Sequence, residues 1–179
     1  MSTAIQHLWV VDEARRISGV HPQLDGPGVG CELIVAPQID RSEAAAEAAT
    51  RVRDLWARLG LGAGVAQCRP HAAGISLAVR APADRLYAAV EALEAALGHR
   101  PVDARALTVA LQREANPALM ALLAGCSDLP VFVDEDGFTA GMGRHARTWP
   151  LTALPDVTDA RAAAIPVPFA LITGTNGKT

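Results

Sequence analysis

Aromatic side chains are scarce: three Phe, three Trp and one Tyr, 4% of 179 residues. That excludes a core built on stacked rings. Half of the residues are nonetheless hydrophobic, and much of that half is alanine, so burial must come from aliphatic side chains and small helix contacts. An excess of positive charge is also absent. Sixteen Lys and Arg stand against nineteen Asp and Glu, a net charge of −3, and no polybasic run occurs, which argues against a nucleic-acid partner. Cysteine is limited to Cys31, Cys68 and Cys126. An odd number without metal-type spacing is no disulfide framework and reads as buried thiols in a reducing compartment. Long apolar runs are missing, and Asp12, Glu13, Arg15 and Arg16 interrupt the opening segment. Neither a membrane span nor a secretory leader is expected. These absences predict a soluble cytoplasmic protein.

The chain is long enough for one domain and a tail. Residues 4–17 read equally as strand or helix. Residues 20–30, with two prolines and three glycines, predict a loop. Cys31–Ala36 predicts a strand. Asp40 and Glu43 form a capping box for a helix over 41–59, where Ala45, Ala48, Val52, Leu55 and Leu59 share a face and Gly60 and Gly62 end the run. Glu47 and Arg51 are spaced to pair across one turn. Strands at 65–69 and 75–79 flank a turn at Pro70–Gly74, and Asp84 opens a helix to Leu97. The order β-α-β-β-α predicts a mixed α/β (α+β) fold, a ferredoxin-like two-layer sandwich with both helices on one face of the sheet. Helices over 103–115 and 117–125 follow, separated by Asn116 as a cap and Pro117 at the first helical position. Pro130–Asp134 and Phe138–Met142 predict a hairpin, one strand of which is available as the sandwich's missing last strand.

Residues 144–168 carry prolines at 150, 155, 166 and 168 and read as a linker after a domain at 1–143. Phe169–Thr173 is an apolar strand that runs into Gly174. The last seven residues are Thr173-Gly174-Thr175-Asn176-Gly177-Lys178-Thr179. A strand, a glycine-rich turn and Lys-Thr meet the needs of phosphate binding. Gly174 and Gly177 let backbone N–H groups converge on phosphate oxygens, and Asn176 tolerates left-handed geometry. Thr175 lies inside the same turn. Lys178 would neutralise the outer phosphates and Thr179 would offer its hydroxyl to Mg²⁺. The general pattern asks for glycine at 172, where this chain has Ile172.

The form T-G-T-N-G-K-T, which lacks that first glycine, resembles the phosphate loop of the Mur ligase family. The resemblance implies ATP and Mg²⁺ as cofactors, held by Gly174, Thr175, Asn176, Gly177, Lys178 and Thr179, with Lys178 as the catalytic cation and Thr179 as the metal ligand. It also implies a reaction. A carboxylate is phosphorylated to an acyl phosphate, an amine displaces the phosphate, and an amide forms. Substrates would be amino-acid or peptide-like carboxylates and amines, without nucleic acid or membrane. The remainder of the ATP-binding domain would follow Thr179, so the 179 residues alone are expected to be inactive; an oligomer is compatible with this reading.

Three further segments, Leu24–Val29, Arg69–Gly74 and Phe138–Arg144, resemble the N-terminal domain of cyanophycin synthetases, enzymes that build a polymer of aspartate and arginine. The chain departs from them in having only residues 144–168, rather than an ATP-grasp domain, before the Mur-type loop. A different function class stays open: a stand-alone substrate- or partner-binding domain without catalysis, or a regulatory domain for a small amino acid.

Other polar residues have simple structural readings beside functional ones. Arg69 and His71 suit an anionic ligand or a solvated turn. Arg144, His145 and Arg147 form the one local basic cluster, suited to phosphate or carboxylate, or to solvent. Asp134, Glu135 and Asp136 before a glycine read as a polar turn more readily than as a metal site. Gly26, Gly28 and Gly30 imitate part of a dinucleotide fingerprint, but Pro27 and the absence of a following helix oppose it.

Overall fold

The computed structural model describes residues 8–18, 21–62, 65–98, 101–134 and 137–164. Within them the protein is mixed α/β, with two small antiparallel sheets and five α-helices. Backbone contacts divide the chain into a unit over 1–120 and a second over 121–179.

The first unit contains strands β1 (Trp9–Ile17), β2 (Gly28–Val35), β3 (Gln67–Pro70) and β4 (Gly74–Arg80) in the spatial order β1-β2-β4-β3, every neighbouring pair antiparallel. Helices α1 (Arg41–Leu59) and α2 (Leu86–Leu97) pack on each other and on the same sheet face. Strand periodicity explains which face. Val29, Cys31, Leu33 and Val35 of β2 and Ile75, Leu77 and Val79 of β4 alternate inward and join Val52, Leu55, Trp56, Leu93 and Leu97 in one core. Alanines fill the helix contacts, among them Ala48, Ala89 and Ala92, each fully buried. The prediction that these three strands share a sheet, with both helices on one side, agrees with this arrangement.

The sheet's remaining edge was assigned differently by sequence. The hairpin at 130–142 does not supply it; β1 does, pairing with β2 from Trp9↔Val35 to Ile17↔Gly28. The segment looked ambiguous because its alternation breaks. A bulge lies between Asp12 and Arg15, where Glu13 has φ 44°, the one positive φ outside glycine among the described residues. One extra residue reverses the side-chain parity. Trp9 and Val11 therefore face the helices, whereas Ile17, past the bulge, faces the opposite side and packs with Leu24 and Ala78.

Strand β2 also begins earlier than its glycines suggested. At Gly28 a Cβ would lie 2.3 Å from the Val79 carbonyl oxygen and 2.7 Å from Leu24 Cδ1. The glycine there serves close packing within the sheet, not a loop.

Asp40 caps α1 as predicted, accepting from Ser42 N–H at 2.8 Å and Glu43 N–H at 3.0 Å; Gly60 ends the helix at φ 68°. Glu47 and Arg51 pair at 2.8 Å. Asp84 does not cap α2. It sits in a 3-10 turn over Ala83–Arg85, its side chain 1% exposed, and accepts from Asn116 N–H at 2.7 Å. The α2 N-terminus is capped from 27 residues away: the Glu114 carboxylate accepts from Tyr87 N–H at 2.9 Å and Ala88 N–H at 2.7 Å. Glu114 ends α3 (Ala104–Glu114), and Asn116 caps α4 (Pro117–Gly125), accepting from Leu119 N–H at 3.1 Å.

The second unit holds β5 (Val131–Val133), β6 (Phe138–Ala140) and β7 (Arg147–Trp149) in sequential antiparallel order, followed by α5 (Val157–Ala163). The segment read as a linker is, through residue 164, a sheet strand and a helix. Proline frequency misled because Pro150 and Pro155 lie between β7 and α5 and interrupt neither. Asp156 caps α5, accepting from Asp159 N–H at 2.8 Å. Gly137, at φ 146°, closes the β5–β6 turn where a Cβ would come 2.0 Å from the Trp149 carbonyl oxygen.

Candidate functional site

The residues assigned to phosphate and Mg²⁺, Gly174, Thr175, Asn176, Gly177, Lys178 and Thr179, and the strand at 169–173, lie outside the described residues. Among the described residues, no group of three His, Cys, Asp or Glu is placed to hold a metal ion, and no helix is long and apolar enough to cross a membrane.

What the structure does assemble is a polar cluster on the sheet face away from α1 and α2. Its parts come from β2, β4 and the β3–β4 hairpin. That hairpin is tight: His71 N–H donates to the Gly74 carbonyl at 2.9 Å, and Gly74 N–H to the His71 carbonyl at 3.3 Å. Ala72 and Ala73 form the tip, and Arg41 Nη2 donates to the Ala72 carbonyl at 2.9 Å, tying the tip to the start of α1. His71 is consequently aimed back along the sheet. Its Nδ1 accepts from Ala73 N–H at 3.3 Å. The hydrogen therefore belongs on Nε2, which donates to Glu32 Oε2 at 3.1 Å. Ser76 Oγ donates to the same oxygen at 2.9 Å. Glu32 and His71 stay 34% and 40% exposed.

Two neighbours complete the surface by register. Asp12 stands directly opposite Glu32, and Arg69 directly opposite Ser76. Like charges facing each other across a ladder oppose pairing, and the two donors on Glu32 offset that repulsion.

The chemistry of this set is recognition. In a nucleophilic triad the imidazole stands between hydroxyl and carboxylate, taking the hydroxyl proton. Here the carboxylate stands between, and both Ser76 and His71 spend their hydrogens on one oxygen. The Glu32 carboxylate, a third exposed, remains reachable by a donor or a cation from solvent. Sequence reading singled out Arg69 and His71 and missed Glu32 and Ser76. A signal existed: each is the one strongly polar residue inside an apolar strand, CELIV and ISLAV.

The remaining candidates are dispersed. Arg144, His145 and Arg147 are all exposed, with Arg144 Nε donating to His145 Nε2 at 3.2 Å. Asp134 forms the predicted turn, its carboxylate accepting from Gly137 N–H at 3.2 Å; Glu135 and Asp136 lie outside the described residues. All three cysteines are free. Burial pushes the Cys31 thiol up to about 12 and Cys68 to about 11, and raises Cys126 as well. Such thiols remain protonated near neutrality and are poor nucleophiles. Cys68 is only partly buried, less than the sequence reading assumed.

No protein family matches the chain, and neither does any curated protein or solved structure.

Proposed function

We propose that the chain is the N-terminal part of an ATP-dependent, Mur-type ligase that joins a carboxylate to an amine through an acyl phosphate. One observation carries the reading: the heptapeptide Thr173–Thr179 after the apolar segment Phe169-Ala170-Leu171-Ile172. In such a reaction ATP supplies the phosphoryl group and Mg²⁺ screens the charge that develops on it. The residues of this chain would position and neutralise: Gly174, Thr175, Asn176 and Gly177 would present backbone donors, Lys178 would neutralise phosphate oxygens, and Thr179 would offer a hydroxyl to the metal. The first unit is a ferredoxin-like sandwich in this proposal, with β1 in the place of the usual last strand; the order β1-β2-β4-β3 and the split β2–α1–β3 crossover support that assignment.

The test uses the protein translated from the complete reading frame. Incubation with MgATP, candidate amino acids and hydroxylamine traps an acyl phosphate as a coloured hydroxamate. ATP-dependent hydroxamate that disappears in Lys178→Ala supports the reading. Equal MgATP affinity in wild type and Lys178→Ala overturns it.

A second reading, a binding module without catalysis, is favoured by the Glu32–His71–Ser76 cluster, which lies on an open sheet face and has recognition geometry.

A further inference from the structure

We propose that the outer edge of β1 is a docking slot for an extended, cationic polypeptide segment of a partner. This does not depend on the ligase reading. Strand β1 ends the four-stranded sheet, and no described strand pairs with its outer side. A cleft of about 370 Å³ runs there, lined by Val10, Val11, Ala14, Leu97 and the carboxylates Glu13 and Glu94. Val10 faces the open side of the sheet, opposite Ile34, while Val11 faces the helices. A cavity touching residues of both faces of an end strand lies along that strand's unpaired edge, where an incoming strand would add.

The cleft has an apolar floor and an exposed apolar rim: Leu97 is fully buried, whereas Val10 is 63% accessible and Ile34, beside it on the open face, 53%. The lining itself carries two carboxylates and no base. Glu94 stands in the last turn of α2, which contains no basic residue. A helix C-terminus already carries partial negative charge from its free carbonyls, and a lysine or arginine is the usual complement there. Glu13 adds a second carboxylate, only loosely engaged by Arg15 at 3.4 Å in an exposed pair. Apolar walls, an edge that no described strand occupies and the two lining carboxylates together select a strand that alternates aliphatic and basic side chains. The bulge at Asp12–Arg15 limits ladder pairing to the residues before it, because the ladder loses its regular spacing there, and Glu13 and Ala14 contribute side-chain walls only.

The test is an amide-resolved NMR titration of the 179-residue chain with two blocked hexapeptides, one alternating valine and lysine, the other valine and glutamate. The lysine peptide should shift the amides of Val10, Val11 and Gly98, and the glutamate peptide should not. Glu94→Lys should weaken the lysine peptide about tenfold, as for a rim charge facing a partner charge. Glu91→Lys, the same charge change at another exposed position of α2, should leave the affinity unchanged and controls for net charge. Three results overturn the proposal: equal binding of both peptides, indifference to Glu94→Lys, or shifts of the same amides on diluting the protein alone, which would assign the edge to a second copy.

Discussion

The two units achieve order by different means. The first buries an unbroken aliphatic layer between a four-stranded sheet and two helices, and its polar bonds trim that layer. Trp56 is fully buried and its Nε1 donates to the Arg80 carbonyl at 2.9 Å. Trp9 Nε1 does the same to the Leu97 carbonyl at 3.0 Å. The second unit has three strands of three residues each, and its described buried residues are mostly small: Ala140, Ala160, Ala163 and Ala164 beside Leu122, Cys126 and Phe138. It depends more on particular contacts. Arg161 grips Asp128 with both terminal nitrogens, at 2.8 and 2.9 Å, and also donates to the Gly125 carbonyl at 2.9 Å. Phe138 packs against Trp149 with ring centroids 6.1 Å apart. A large apolar layer tolerates the loss of one polar bond; a small one made of alanine does not.

The largest effect tests the first unit. Trp56→Ala should cost about 3–5 kcal/mol, because it empties a fully packed site and orphans a carbonyl. Denaturant unfolding followed by far-UV circular dichroism measures it; a loss below about 1 kcal/mol would mean that the layer repacks.

Phe138→Ala should cost about 3 kcal/mol locally, enough to open the second unit alone. Hydrogen exchange should show lost protection at residues 131–149 with β2 and β4 unchanged. If protection falls equally in both sheets, the units are not independent and the comparison fails.

Replacing Gly137 by alanine should destabilise the β5–β6 hairpin by about 1–3 kcal/mol, through its φ of 146° and the carbonyl in the way. The same substitution at Gly60, φ 68° with no atom within 4 Å, isolates the conformational part and should cost about 1 kcal/mol.

Titration separates the units at opposite ends of the pH scale. The Arg161 hydrogen bonds hold the Asp128 carboxyl below its usual range. A lowered folded pKa contributes stability above the ordinary carboxylate value and loses it as pH falls through the lowered one. Protection at residues 157–164 should therefore decline on acidification, and Asp128→Asn should remove most of that pH dependence. In the first unit, burial raises Cys31 from 9.0 to about 12. A raised folded pKa gives stability that is complete below pH 9 and lost as pH climbs towards 12. Cys31→Ala should flatten that alkaline decline, read as denaturation midpoint against pH.

The smallest effect falls on the polar cluster. His71→Ala should change stability by less than about 1 kcal/mol, as for exposed pairs. A loss several times larger would mean that the cluster braces the hairpin and is no free recognition surface.

Local rules carried much of the first unit. The apolar spacing in 41–59 and 84–97, the Asp40 cap, the Gly60 stop and the Asn116–Pro117 break each involve residues within a turn or two of one another, so the chain declares them without its neighbours. The Thr173–Thr179 heptapeptide is contiguous too, but it lies outside the described residues, and its reading rests on residue types alone. The candidate site on the open sheet face is different. Glu32, His71 and Ser76 meet because β2 and β4 pair in one register, and no local pattern encodes a contact across 44 residues. The same holds for β1, whose bulge changes the facing of Ile17, and for the α2 cap, supplied by Glu114 once α3 has docked. It holds again for 147–163, where one short strand and an alanine-rich helix acquire order from what they pack against. Periodicity, caps and turns reside in the chain because their energies are local. Edges, registers and long-range caps arise where backbone groups left unpaired by local structure must find partners, and only the folded chain settles which partners those are.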